Sequence, residues 1–310
     1  MKKLLAIATS MVFVTAAVHA QTLSAYQSVI NGQSPMYYNT LDNTLAPSTG
    51  TGTFSATAGS TFTSDYFGNA NDAVTFAAAT DQLLYGTGAN IINASGDTTI
   101  ANQHGSMSLL FETPATIPST TIYLLSNGDA GTTGQFSMSL INGLVTVKVN
   151  NKTSPFTGTG STGSLPTLTA STWYYVAMTW DLNGVAAGVN GVNFYLGQAG
   201  AASLSTTAFF QRGGTGNFSS AAGGDLGNGG AFSLSGHQLS ATGGFQGGVV
   251  DELATFNTEL TSGQINSQFA ALVIPPVPEP SAYALLGMGV LLFVAISRFG
   301  GSRIAVKNGK

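Results

Sequence analysis

The feature that most constrains the fold of this chain is a series of short runs in which apolar and polar residues alternate, separated by turn residues. One run covers residues 136–140, another covers residues 144–149, and Asn142 and Gly143 stand between them. Alternation with a period of two places every second side chain on the same face of a β-strand. Asn-Gly is the strongest short signal for a tight turn, because both residues adopt positive φ readily. The two runs therefore predict a β-hairpin.

Two longer runs predict strands near the centre of the fold. Residues 173–180 are almost continuously apolar or amphipathic, and residues 248–256 have a similar character. Such runs are typical of strands that are covered on both faces, whereas edge strands need charge or proline for protection. We expect the two strands to be adjacent or to face each other, with Trp173 or Trp180 buried. Many short strands with frequent turn signals predict a sandwich or a barrel.

The remaining local signals predict one more strand pair and one helix. Residues 107–111 and 122–125 are mostly apolar, and we expect them to pair with each other. Near the end of the domain, Thr261 and Gln264 have the spacing of a capping box, in which each side chain bonds the backbone at the start of a helix. Residues 264–272 follow with apolar side chains on one face, so a short helix is predicted there.

The N-terminus carries an export signal. Lys2 and Lys3 precede a long apolar stretch, and Val18 and Ala20 place compact side chains at the −3 and −1 positions of a cleavage site. This arrangement is typical of a secretory signal peptide. We therefore expect cleavage after Ala20 and a mature domain outside the cytoplasmic membrane.

The C-terminal region has three parts. Pro278, Glu279 and Pro280 keep a linker extended, because proline fixes its own φ and disfavours a helical residue before it. Residues 282–297 carry no charge. As a helix they would be about 25 Å long, near the short end of what crosses a bilayer. The basic residues that follow are expected to stop the helix on the cytoplasmic side of the membrane: Arg298, Arg303, Lys307 and Lys310.

This three-part end resembles the PEP-CTERM sorting signal of bacterial envelope proteins, and the resemblance covers residues 277–310. It implies that a membrane-embedded exosortase, a cysteine protease-transpeptidase, recognises the signal and cleaves it near Pro-Glu-Pro. One departure is that the basic residues are spread over thirteen positions instead of following the helix directly. The alternative is a plain C-terminal membrane anchor.

The part between the two signals is acidic and has no cysteine. Residues 21–280 contain three basic residues and all thirteen acidic ones, a net charge of −10. Such a charge repels phosphate backbones, so nucleic acid is a poor partner. A domain of this length can bury a sufficient core without disulfides.

These features divide the chain into five predicted segments. The sequence predicts a protein that is secreted across the cytoplasmic membrane, anchored there until it is processed, and then located in the cell envelope or outside the cell. The segments are a signal peptide (1–20), a β-sandwich domain (21–273), a linker with the Pro-Glu-Pro motif (274–281), a transmembrane helix (282–297) and a basic cytoplasmic tail (298–310).

Three blocks of the domain resemble laminin G-like, concanavalin A-like domains. They are residues 25–30, residues 173–181 with the following run at 194–197, and residues 248–257. The resemblance implies an all-β jelly-roll sandwich of two antiparallel sheets. In the family the second hairpin strand ends in an Asp-Gly turn, whereas residues 196–198 read Leu-Gly-Gln here. This departure removes an acidic group and puts a metal site borrowed from the family in doubt.

The acidic residues show no catalytic pattern. Glycosidases need a pair of carboxylates, one on each side of the scissile bond. The glutamates of this sequence are not spaced so that two of them could form such a pair. Asp251 and Glu252 are adjacent, so in a regular strand they point to opposite faces and cannot act together. We expect Asp251 to accept backbone hydrogen bonds at a strand junction. The sequence therefore predicts no catalytic residue and no enzyme.

Asp65 and Asp72 are weak candidates for a metal site. With Asn69 and Asn71 they offer oxygen ligands to calcium, but they lack the alternating acidic ligands and the bidentate glutamate of an EF-type loop. The expectation is no cofactor and no metal, with calcium as the alternative.

Four aromatic residues are candidates for stacking on a sugar wherever they face outward, although alternation directs half of the residues in a strand towards the core. They are Trp173, Tyr174, Tyr175 and Tyr195.

Three functions are open. As a binding module, the domain would hold a glycan or a protein, and its partners would be exosortase, the membrane through the C-terminal helix, and exopolysaccharide or another glycan. As a structural component of an extracellular matrix, it would associate with exopolysaccharide without a specific ligand. A carbohydrate-active enzyme is the least favoured, because the sequence offers no carboxylate pair. Fold resemblance alone does not choose among these functions.

Overall fold

The chain divides into two compact units, residues 1–273 and residues 274–310. All residues that the structure describes belong to the first unit. The predicted signal peptide, linker, transmembrane helix and basic tail lie outside the described residues. Among the described residues, no helix is both long enough and apolar enough to cross a membrane. The computed structural model describes residues 23, 25–85, 104–127, 136–149, 152–155, 167–181, 190–211, 232–236 and 243–273.

Two antiparallel sheets form the domain. In sheet A the strand order is β13-β12-β11-β6-β15-β4-β3, and β1 also pairs with β15. Its strands are β1 (Tyr37–Asn39), β3 (Ser60–Thr63), β4 (Ala73–Phe76), β6 (His104–Glu112), β11 (Trp173–Asp181), β12 (Asn190–Gln198), β13 (Ser205–Gln211) and β15 (Val249–Phe256).

Sheet B contains seven strands in the order β10-β9-β8-β7-β14-β5-β2. They are β2 (Phe54–Ala56), β5 (Leu83–Tyr85), β7 (Ile122–Asn127), β8 (Phe136–Ile141), β9 (Leu144–Val149), β10 (Lys152–Pro155) and β14 (Phe232–Leu234). The β-sandwich that the sequence predicts is confirmed.

The predicted hairpin joins β8 and β9. Ile141 pairs with Leu144 at its end. The two turn residues, Asn142 and Gly143, have φ values of 51° and 74°. Positive φ at both positions is what a two-residue hairpin turn requires.

The neighbours of the long strands differ from the prediction. Strands β11 and β15 lie in the same sheet, but β6 separates them and pairs with both. Strands β6 and β7 do not pair at all, because they belong to different sheets. The proline-containing segment between them crosses from sheet A to sheet B. An apolar run shows that a strand is buried, but it does not identify the partner strand.

The main core lies between the sheets. Alternate residues of β11 point into it, and Trp180 is fully buried there. A side chain on Gly105, in the paired strand β6, would come within 2.6 Å of the Trp180 ring. The inner residues of β11 are Tyr174, Val176, Met178 and Trp180.

Two helices cover the outer face of sheet A. Helix α1 spans residues 25–32, and helix α2 spans Ser262–Ala270. The predicted capping box of α2 is present: the Gln264 amide donates to the Thr261 hydroxyl, and the Thr261 amide donates to the Gln264 side chain. The apolar side chains of α2 are buried as predicted, which holds the helix on the sheet.

Candidate functional site

A β-bulge interrupts β15 at its centre. The register against β6 shifts between Asp251 and Ala254, and Glu252 has a φ of 55°. Few non-glycine residues adopt this left-handed conformation, and those that do are often found at functional sites. The extra residue lets Val250 and Leu253 both point into the main core. In a regular strand these two residues, three positions apart, would face opposite sides.

The bulge brings three carboxylates together. One oxygen each from Asp42, Asp251 and Glu252 lies within 4.8 Å of the others, and we name these three residues the carboxylate cluster. The prediction that Asp251 and Glu252 cannot act together is therefore wrong. It assumed a regular strand, whereas a bulge places two neighbouring residues against one residue of the partner strand and re-aims their side chains.

Glu252 is held by two neighbouring side chains. The Tyr38 hydroxyl donates a hydrogen bond to one carboxylate oxygen of Glu252. The Gln27 amide, from α1, donates to the other oxygen at 3.2 Å and also to an oxygen of Asp42 at 3.1 Å. Gln27 therefore ties two members of the cluster to the helix that covers them.

Asp251 is fully buried and neither of its carboxylate oxygens has a hydrogen-bond partner; one oxygen of Asp42 also has none. We expected Asp251 to accept backbone hydrogen bonds at a strand junction; the Glu252 amide is the one backbone group that lowers its pKa, and it makes no hydrogen bond of normal geometry with the carboxylate. Burial raises the pKa of Asp251 well above its ordinary value, and the neighbouring Glu252 raises it further. Burial also raises the pKa of Asp42 to about 6. A buried charge without a partner is costly, so the cluster needs something to neutralise it.

The loop that carries Asp42 has an unusual backbone. Leu41 and Asn43, on either side of Asp42, have φ values of 56° and 51°. The Leu41 amide donates to the Asn39 side chain at 3.0 Å, and the Asn43 amide donates to the Asn71 carbonyl at 2.7 Å. Left-handed non-glycine residues on both sides of one carboxylate, fixed by hydrogen bonds, position that carboxylate over the bulge.

The metal ligands suggested by the sequence lie elsewhere. Both carboxylate oxygens of Asp65 accept hydrogen bonds from Asn69, at 2.7 and 2.9 Å, so Asp65 closes its own loop. Asp72 is half-buried, and neither residue belongs to the carboxylate cluster. Sequence reasoning missed Asp42, because no local pattern connects it with residues more than two hundred positions later.

The four candidate aromatics are mostly inaccessible. Tyr174, Tyr175 and Tyr195 are buried, so they offer no face to a ligand. Tyr175 donates to a side chain of α2, and Tyr174 belongs to the main core. Trp173 is half-buried, with its ring packed edge-on against Tyr66 at 6.2 Å. Of the four, Trp173 alone keeps accessible surface.

An open groove lies elsewhere on the domain. Its volume is about 600 Å³, and its walls are the segment that crosses between the sheets, residues 114–122, and the turn at residues 243–247. Pro114 and Pro118 restrict the backbone of the first wall. None of the twelve lining residues carries an ionisable side chain.

Glycines form the second wall of the groove. Gly243 and Gly247 both have a φ of 72°. A Cβ on Gly244 would lie 2.7 Å from the Ala79 carbonyl oxygen, which already accepts a hydrogen bond from the Gly244 amide. Only glycine allows this close backbone approach, so the wall is formed largely by main chain.

Comparison with known proteins identifies the C-terminal signal. Residues 276–298 match the PEP-CTERM protein-sorting motif, and the match contains Pro278, Glu279 and Pro280. The motif marks a protein that is exported, anchored at the membrane before processing, and then located in the cell envelope or outside the cell. No curated protein matches the chain significantly in sequence.

Solved structures resemble the β-sandwich. The botulinum neurotoxin serotype D binding domain shares 11% identity at a TM-score of 0.52, over 78% of this chain and 52% of that one. The serotype D ligand-binding domain in complex with N-acetylneuraminic acid shares 13% identity at a TM-score of 0.50. The match covers 79% of this chain and 52% of that one. A third structure is domain 4 of AbnA, an extracellular GH43 arabinanase from Geobacillus stearothermophilus, in complex with arabinotriose. It shares 14% identity at a TM-score of 0.44, over 76% of this chain and 98% of that one.

The chain spans about half the length of the neurotoxin domains that it matches. At these identities the likeness shows the fold alone, and function depends on sites that differ between proteins of one fold. The chain therefore combines a β-sandwich of two antiparallel sheets with a PEP-CTERM sorting signal.

Proposed function

We propose that this chain is a non-enzymatic binding protein of the cell envelope, whose laminin G-like domain holds a glycan after exosortase has processed the C-terminal signal. The observation that carries the proposal is the open groove between residues 114–122 and 243–247. The sorting signal marks an exported protein, and a glycan ligand would be accessible in the cell envelope or outside the cell. The N-acetylneuraminic acid complex of one structural relative also supports a sugar ligand.

The chemistry of the groove suits a neutral sugar. Ligand sites are typically concave and mainly apolar, with a few polar groups that orient the ligand. Here the apolar surface comes from Pro114, Pro118 and Ile122, and the polar groups are threonine hydroxyls and the Gln246 amide. Hydroxyls and amides both donate and accept hydrogen bonds, as sugar hydroxyls do.

The position of the carboxylates supports a role other than catalysis. The groove has no ionisable lining residue, so nothing there can protonate a glycosidic oxygen or activate water. In the carboxylate cluster, Asp251 and Glu252 are fully buried, which keeps a polysaccharide away from them.

A glycan array tests the binding proposal. The full chain, purified in detergent, is compared with Thr121→Trp, which fills the groove from an exposed position, and with Asn266→Trp, which adds the same bulk to the exposed side of α2. We expect a defined set of glycans to bind the wild type and Asn266→Trp but not Thr121→Trp. Equal binding by all three proteins would place the ligand elsewhere.

Mass spectrometry of the mature C-terminus tests the processing step. In the native host, we expect the wild type to lose the segment after Pro278-Glu279-Pro280 and a variant with three alanines there to retain it. A wild-type chain that still ends at Lys310 would indicate a plain membrane anchor instead.

A structural matrix role without a specific ligand is the second candidate. It is favoured by the burial of Tyr174, Tyr175 and Tyr195, because glycan sites commonly use exposed aromatic faces and this domain offers few. An array with no bound glycan, together with normal processing, would select this alternative.

A further inference from the structure

The carboxylate cluster has no basic side chain to neutralise it among the described residues. The lysines in this part of the chain, Lys148 and Lys152, belong to β9 and β10 at one edge of sheet B, whereas the cluster lies on the outer side of sheet A. No arginine is included, and His104 stands at the start of β6, opposite Asp181. An ion pair with a basic residue in the described part of the chain therefore does not explain the three acids.

Asp251 gives a second observation that points to a ligand. Its two oxygens are completely buried and unpartnered, and one of them faces the oxygens of Asp42 and Glu252 within 4.8 Å. Buried polar groups in proteins almost always have partners, and an orphaned one indicates an ion or water. A carboxylate is acceptor-only when ionised, so a bound cation would satisfy it.

We propose that Asp42, Asp251 and Glu252 together bind one divalent cation, and that Ca²⁺ is its preferred occupant. All three donor groups offer oxygen, and none is a histidine or cysteine. This donor set disfavours the softer transition metals as occupants of the site. Glu252 remains available, because each of its oxygens accepts a single hydrogen bond from Tyr38 or Gln27 and has a second lone pair.

The distances fit Ca²⁺. Calcium binds oxygen at about 2.3–2.6 Å, so opposite ligands lie about 4.6–5.2 Å apart. The three carboxylate oxygens, within 4.8 Å of one another, can therefore share one ion. Mg²⁺ prefers about 2.0–2.1 Å and retains several waters. Its hydration shell fits poorly at a site where two of the three carboxylates are fully buried.

The ion would join three separate parts of the chain. Asp42 belongs to the loop after β1, Asp251 and Glu252 belong to the bulge of β15, and Gln27 bonds two of these carboxylates from α1. A ligand that binds the folded state alone stabilises it. We therefore expect the stability of the domain to depend on Ca²⁺.

The test uses the full chain in detergent, stripped with a chelator and titrated with CaCl₂ or TbCl₃. We expect mass spectrometry to detect one tightly bound metal ion per chain. Excitation of the nearby tyrosines, Tyr38 among them, should sensitise Tb³⁺ emission that CaCl₂ reverses. At a free Ca²⁺ concentration roughly 100-fold above its Kd, the thermal midpoint of unfolding should rise by roughly 5–10 °C.

Charge-neutral variants locate the ion. Asp42→Asn, at the half-buried position, should weaken binding by roughly tenfold or more, because fewer charged ligands lower calcium affinity. Asp251→Asn should abolish the Ca²⁺-dependent shift. In chelator its midpoint should exceed that of the wild type, because a buried charge has been removed. Glu259→Gln removes an exposed carboxylate and should bind as the wild type does.

Two results would overturn the proposal. A wild type that binds neither ion shows that protons, not a metal, neutralise the cluster. Unchanged affinity in both Asp42→Asn and Asp251→Asn shows that the ion binds elsewhere. Neither result bears on the glycan array, because the groove shares no residue with the cluster.

Discussion

The two faces of sheet A are both buried, but they are built from different chemistry. The inner face packs against sheet B through aliphatic and aromatic side chains. The outer face is covered by α1 and α2 and contains glutamines, tyrosine hydroxyls and the carboxylate cluster. The inner face is stabilised by close packing and by burial of apolar surface. The outer face depends on hydrogen bonds between its buried polar groups. The same sheet therefore responds differently to substitutions on its two sides.

The largest effect is expected on the inner face. Trp180→Ala should lower the free energy of unfolding by about 3–5 kcal/mol, because it leaves a cavity between the sheets. Denaturant unfolding would measure this change. Trp173→Ala, at a half-buried position of the same strand, is the matched control and should cost clearly less. Equal losses would contradict the placement of Trp180 in the main core.

A smaller effect is expected from the polar contacts of the outer face. Gln268 accepts a hydrogen bond from the Tyr175 hydroxyl at 2.6 Å and donates to Gln33 at 2.6 Å. Gln268→Leu should cost about 1–3 kcal/mol, because it removes the side chain that accepts the hydrogen bond of the buried Tyr175 hydroxyl. In a double-mutant cycle, adding Tyr175→Phe should recover part of the loss. Strict additivity of the two substitutions would show that the hydrogen bond contributes nothing.

The smallest effect is expected at the edge of the outer face, where α2 begins. Thr261→Ala removes the hydroxyl that caps the helix and should cost about 1 kcal/mol. Ser262→Ala, one residue later and equally exposed, should change stability little. Thermal unfolding of both variants distinguishes loss of the cap from a general effect of alanine.

The sequence predicted the strands of the sandwich better than the polar outer face of sheet A. Apolar alternation and the Asn142-Gly143 turn identify strands from local residues, and the structure confirms them. The pairing of β6 with both β11 and β15 was missed, because strand neighbours are set by contacts between distant parts of the chain. The boundaries of the signal peptide, linker, transmembrane helix and tail remain predictions.

The carboxylate cluster was beyond sequence reasoning for a specific reason. Residues 249–256 carry the pattern of a strand, and nothing in it indicates that Glu252 adopts a φ of 55°. One left-handed residue reverses the expected relation between two adjacent side chains. Asp42 then reaches them through a loop whose shape depends on two more left-handed residues, Leu41 and Asn43. Each of these conformations is stabilised by tertiary contacts, so local propensity does not reveal it.

The first strand of the domain pairs with the last: Tyr37 lies opposite Thr255, and Asn39 lies opposite Leu253. A chain that crosses a membrane from its N-terminus cannot complete this pairing until nearly the whole domain has emerged. Contacts between such distant residues slow folding. If the predicted signal peptide leads the chain across the membrane, β1 stays unpaired until β15 has followed it, so sheet A cannot be completed while the domain is still being exported.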